Sequence, residues 1–199
     1  MSTRGSEPTT RTRVIVTLIV FVALAVGLFF GVRAVIEAAG SHAATGPTAS
    51  PTPTSTTVGF VYTSDEYGYS IEFPSEPTEQ STTVPVGDAQ VPVTSAVWDG
   101  GTRSLVSTGA TYPAGQLKDV NASLKSSLDG IVANTSGAQL VSSDPTTLAG
   151  IPAVKAQISV PSGNLSVVIA IDGDTQYQLV AANMDQTTAD GFFATFRPS

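Results

Sequence analysis

The chain has 199 residues, no cysteine and a formal net charge of −7. Disulfide stapling and a lipoprotein anchor on an acylated cysteine are both excluded. Beyond residue 40 five basic residues face fourteen acidic ones, a net of −9, which excludes nucleic acid and anionic headgroups as partners of that part.

The first element is a membrane span. Val14–Val32 is an uncharged run of 19 residues, and as a helix it covers roughly 28 Å, close to the hydrocarbon thickness of a bilayer. Arg4, Arg11 and Arg13 precede it, while Arg33 and Glu37 follow. Positive residues stay cytoplasmic, so residues 1–13 are expected inside, 14–34 as a transmembrane signal anchor, and the rest outside. The localisation expected is thus the cell membrane, single-pass. A cleaved signal peptide is the competing reading, with cleavage after small residues at Ala38-Ala39-Gly40 or Ser41-His42-Ala43. The anchor is preferred because the apolar run exceeds the roughly 7–15 residues of a signal core. Gly27 and Gly31 have the small-xxx-small spacing of packed membrane helices, yet glycine is common in such helices anyway, so dimerisation stays open.

Residues 41–58 carry prolines at 47, 51 and 53 among Thr and Ser and hold almost no large apolar residue. Such a stretch buries too little to offset its ordering entropy and is expected to be a disordered linker. In polyproline II its 18 residues reach at most roughly 55 Å. A bare spacer and an O-glycosylated stalk both fit this composition.

Residues 59–199 are expected to form one extracytoplasmic α+β domain. Phe60-Val61-Tyr62 starts a strand, and Asp65-Glu66-Tyr67-Gly68 turns into a second with Tyr69, Ile71 and Phe73 inward, ended by Pro74 and Pro77. Thr82–Val86 and Val91–Trp98 flank Gly87-Asp88 as a hairpin, whose Pro85 and Pro92 argue for an edge. Asp99-Gly100-Gly101 leads into Ser104–Tyr112. Leu117, Val120, Leu124, Leu128, Ile131 and Val132 form one apolar stripe of a helix between Gly115 and Gly137. Then come Gln139–Leu148, a turn at Gly150-Ile151-Pro152, Ala153–Val160, a turn at Pro161-Ser162-Gly163-Asn164, and Leu165–Ile171. Asp172-Gly173-Asp174 returns the chain into Tyr177–Ala182. A last helix from Asp185 or Thr187 to Pro198 carries Phe192, Phe193 and Phe196 inward. This order predicts an antiparallel sheet flanked by helices.

The run Tyr67-Gly68-Tyr69-Ser70-Ile71-Glu72-Phe73-Pro74 resembles the opening of PsbP/Mog1-like domains. So do Leu148-Ala149-Gly150-Ile151-Pro152-Ala153, the Tyr177-Gln178-Leu179 strand and the closing Phe192-Phe193-Ala194-Thr195-Phe196, in that order across residues 60–197. The resemblance implies an α/β/α sandwich around an antiparallel sheet and a non-catalytic role. It is to the exported, membrane-anchored or lipoprotein envelope proteins of high-GC Gram-positive bacteria, with a helix here in place of the acylated cysteine. It carries over no ligand or catalytic residue.

No catalytic, cofactor-binding or metal-ligating residue is assigned, no cofactor is expected, and ligand-binding residues are left unknown. The sole histidine, His42, sits in the linker, and a Ser–Lys pair would have to use Lys118, Lys125 or Lys155. Asp172-Gly173-Asp174 and Asp65-Glu66 are the best oxygen-donor clusters, but Asp-Gly is also what a hairpin turn wants. Glu72 is expected outward on its strand, with Glu76 and Glu79 in a Pro-bounded loop as solvated surface. Tyr67, Trp98 and Tyr112 near turns either line a recognition groove or cover core edges. The function expected is a membrane-tethered, non-catalytic binding or accessory domain acting on an envelope protein or cell-wall component. The alternative is a carrier or sensor of a small apolar ligand such as a lipid. Oligomeric state is left open.

Overall fold

In the computed structural model the residues described are 59–199. The expected cytoplasmic segment 1–13, span 14–34 and linker 41–58 lie outside them. Among the described residues no helix is long and apolar enough to cross a membrane.

Among the described residues two antiparallel sheets and two helices make the fold. The smaller sheet has the order β1-β2-β10, with β1 Phe60–Ser64, β2 Tyr69–Phe73 and β10 Arg197–Pro198. The larger has seven strands in the order β3-β4-β5-β9-β8-β7-β6. These are β3 Thr78–Val86, β4 Ala89–Asp99, β5 Ser104–Thr111, β6 Gln139–Leu148, β7 Ile151–Val160, β8 Gly163–Asp172 and β9 Thr175–Ala182. Helix α1 spans Val120–Asn134 and α2 spans Gln186–Phe193.

The large sheet is covered on both faces. On one face, Leu165, Val167, Ile169 and Ile171 of β8 and Val180 and Ala182 of β9 meet Leu124, Leu128 and Ile131 of α1. On the other, Val168, Ala170, Leu179 and Ala181 meet Tyr69, Ile71 and Phe73 of β2 and Phe192 and Phe193 of α2. Double burial explains why β8 reads as a continuous apolar run and not as an alternation. The layers are therefore helix, seven-stranded sheet, and a mixed layer of α2 with the small sheet, so one side of the implied sandwich is not helix alone.

Several boundaries move for physical reasons. α1 starts after Asp119, whose Oδ1 accepts the Ala122 N–H at 3.0 Å as an N-cap, so Leu117 is buried in the turn before the helix. β3 begins at Thr78, ahead of the expected Thr82. Thr78 to Thr83 are exposed, so no apolar alternation marks them, and pairing with β4 from Thr78↔Val97 makes them a strand. Glu79 thus lies on β3 and not in a loop. Ile151 and Pro152 belong to β7, the turn being Ala149-Gly150 with φ of 49° and 88°. Gly163 and Asn164 open β8, leaving Pro161-Ser162 as the turn. The closing helix stops at Phe193, and Arg197-Pro198 pairs with Ser70 and Tyr69 of β2.

Candidate functional site

The end of β2, the β4–β5 turn and α2 enclose an open cleft of about 420 Å³. Trp98 lines it because even-numbered β4 residues face the mixed layer, as buried Ala96 does. Two contacts hold the indole. Its Nε1 donates to Ser75 Oγ at 3.0 Å, and the turn folds so close over the ring that a Cβ on Gly100 would fall 2.2 Å from it. That turn is closed by Gly100 N–H to Arg103 O at 2.9 Å and Gly101 N–H to Asp99 Oδ1 at 2.8 Å. It brings Arg103 to the rim.

Phe73, Leu105, Met184 and Phe192 supply apolar lining, and Glu72, Thr188 and Thr195 supply polar groups. Phe73 and Phe192 rings meet at 5.3 Å. Thr195 clasps the wall, accepting the Glu72 N–H at 3.1 Å and donating to Phe192 O at 2.7 Å. Gly59, the first described residue, also lines the cleft.

The other residues singled out from the sequence go elsewhere. Tyr67 and Tyr112 are buried and do not line this cleft. Tyr67 OH donates to Pro92 O at 3.1 Å, and its own carbonyl accepts Tyr177 OH at 3.0 Å. Glu79 Oε2 accepts Tyr62 OH at 2.6 Å. Asp174 Oδ1 accepts the Gly115 N–H at 2.9 Å, which makes Asp172-Gly173-Asp174 a turn that docks the segment before α1. No group of three or more His, Cys, Asp or Glu is placed to share a metal ion among the described residues. Lys125 pairs with Asp129 at 2.7 Å and Lys155 with Asp190 at 2.6 Å. His42 lies outside the described residues.

Glu72 is the only carboxylate among the cleft residues, whereas hydrolysis of a glycosidic bond uses two across the scissile bond. A smaller cleft of about 200 Å³ at Leu148 and Phe193 contains the Lys155–Asp190 pair. There Gln186 Nε2 also donates to Asp190 Oδ1 at 2.7 Å, and Gln157 Nε2 to Gln186 Oε1 at 2.5 Å. That network ties α2 to β7. The arrangement around Trp98 suits binding: an apolar aromatic floor, two rim charges and two hydroxyls.

Neither a protein-family model nor a curated protein sequence matches the chain. Among solved structures it is similar to the solution structure of cyanobacterial PsbP (CyanoP) from Synechocystis sp. PCC 6803. Identity is 12% and the TM-score 0.48, over 77% of this chain and 100% of that one. At that identity no residue's role carries across.

Sequence reasoning named Trp98 but missed Arg103, Met184 and Thr188. Their signal is tertiary, because the cleft gathers residues from Gly59 to Thr195.

Proposed function

We propose that residues 59–199 are a non-catalytic binding domain of PsbP/Mog1-like type. It is carried outside the cell membrane on the span at residues 14–34 and engages an envelope protein or wall component through the Trp98 cleft. The observation that carries this reading is an indole held by Ser75 and Gly100 at the surface of an apolar cleft. A pinned aromatic in a concave site is the usual anchor of recognition, since little conformational entropy remains to be lost on binding. The place of Gly59 in the cleft lining supports a role set by position, with linker 41–58 governing reach.

The test is a photo-crosslinking side chain at Thr188, in the cleft, and a second at Val141, exposed on the distant edge strand β6. Both are placed in the full chain in intact cells. The expected outcome is a reproducible envelope species captured from position 188, absent from position 141 and lost in Trp98→Ala. Equal capture from both positions, or none, overturns the reading.

A further inference from the structure

The two rim charges of the Trp98 cleft carry more information than its volume. Of the five basic residues beyond residue 40, Lys118 is exposed in the segment before α1 and lines neither cleft, and Lys125 and Lys155 are paired with carboxylates. Arg197 donates to Ala194 O and Phe196 O at 2.6 and 2.8 Å. Arg103 lines the cleft and its side chain has no partner among the described residues. Glu72 lines the same cleft, its Oε2 3.5 Å from where a Cβ on Gly59 would sit. Its carboxylate also has no partner among the described residues. The two oppositely charged groups share one cleft without forming an ion pair.

Electrostatics then sorts the ligand classes. A net anion is attracted by Arg103 but repelled by Glu72 and by the −9 of the part beyond residue 40. A neutral apolar ligand covers the floor yet partly dehydrates two charges without partnering either. A zwitterion with an apolar body meets every feature: each end forms a charge-assisted hydrogen bond, the body covers the aromatic floor, and the net field costs it nothing.

We infer that the Trp98 cleft takes a zwitterionic short peptide with apolar side chains, its ammonium toward Glu72 and its carboxylate toward Arg103. The inference rests on the cleft being a binding site, and narrows what it binds. Trp98 is the only tryptophan in the chain, so its emission reports the cleft without labelling.

The experiment titrates the full chain, in an uncharged maltoside detergent, with the dipeptide Leu-Leu, its N-acetyl form, its C-terminal amide, and laurate. The expected result is a saturable change in Trp98 emission with Leu-Leu, and at least ten-fold weaker binding when either terminus is blocked. In Glu72→Gln the penalty of acetylation disappears while that of amidation remains, and Arg103→Gln does the reverse. Both residues are exposed, so these variants keep the fold. Equal binding of free and blocked dipeptides overturns the inference, as does laurate binding that is indifferent to Arg103. So does a Trp98 already shielded from acrylamide in the unliganded chain, because the cleft is then filled. If Leu-Leu has no effect while crosslinking from position 188 persists, the peptide inference fails alone. If both are absent, the binding reading falls with it.

Discussion

Asn183 shows how much one side chain can organise. It sits at φ 55° between β9 and α2. Its Oδ1 accepts the Asn164 N–H at 3.1 Å, its Nδ2 donates to Thr102 O at 2.8 Å, and its own N–H donates to Asn164 O at 2.8 Å. One amide therefore joins the start of β8, the end of β9 and the β4–β5 turn beside the cleft. Room for it exists because residue 163 is glycine: at φ 139° a Cβ there would fall 1.7 Å from Asn183 Oδ1. Gly163→Ala should cost about 2–4 kcal/mol, from left-handed strain plus displacement of the clasp. Gly173→Ala, at φ 58° with nothing within 4 Å, should cost only about 1 kcal/mol. Urea midpoints at unchanged slope check the contrast, and equal losses would mean that the clasp adds nothing. The turn around Gly163 was legible in Pro161-Ser162-Gly163-Asn164. The obligation on Gly163 was not, since it comes from a side chain 20 positions later.

At the scale of elements, the C-terminal segment separates packing from pairing. Phe196 is fully buried, stacked on Tyr69 at 5.4 Å and edge-on to Tyr177 at 5.2 Å. β10 after it adds two residue pairs to β2, and Ser199 N–H donates to Gly68 O at 2.8 Å. Phe196→Ala should therefore cost about 3–5 kcal/mol. Deleting residues 197–199 should cost no more than about 1.5 kcal/mol, because its few hydrogen bonds exchange with water. Thermal unfolding of the two variants tests this, and a deletion as damaging as the substitution would make β10 the anchor. Sequence spacing placed Phe192, Phe193 and Phe196 inward correctly. It extended the helix too far because two extended residues carry no periodicity of their own. Edge strand β3 shows the same limit. Pro85 marked β3 as peripheral, which it is, but exposed Thr78–Thr83 on that strand have no buried face to reveal them, whereas the equally exposed β6 was legible from the turns at Gly137 and Gly150 that bracket it.

For the whole molecule, tyrosine hydroxyls buried on both faces of the large sheet govern the alkaline limit of stability, four in the core under the mixed layer and Tyr112 in the core under α1. All five tyrosines are held above their ordinary pKa, with burial the leading cause in each. Tyr69, whose hydroxyl bonds to Ser107 Oγ at 3.1 Å, is pushed up to about 12. A group whose folded pKa is raised contributes stability that is complete below the unfolded value and disappears as pH rises through the folded one. Stability should therefore fall from about pH 10 to about pH 12 through Tyr69, with the other four acting in the same direction. Absorbance at 295 nm should show tyrosinate lagging the urea-unfolded chain over that window. Coincident titration of folded and unfolded protein would refute it.

By itself the sequence determined what depends on local pattern. It marked the α+β class, the inward set Tyr69, Ile71 and Phe73, the α1 stripe, and most hairpin turns. These are legible because burial on one face imposes a period on neighbouring residues. Tertiary structure alone decided the order β3-β4-β5-β9-β8-β7-β6, the mixed second layer, and the cleft. Trp98 looked like any aromatic near a turn until Ser75, Gly100 and α2 closed around it, and Arg103 like any surface cation until Glu72 shared its cleft. Contacts between residues some 20 to 120 positions apart leave no periodic trace in the chain, so a site built from them becomes visible only when the chain has folded.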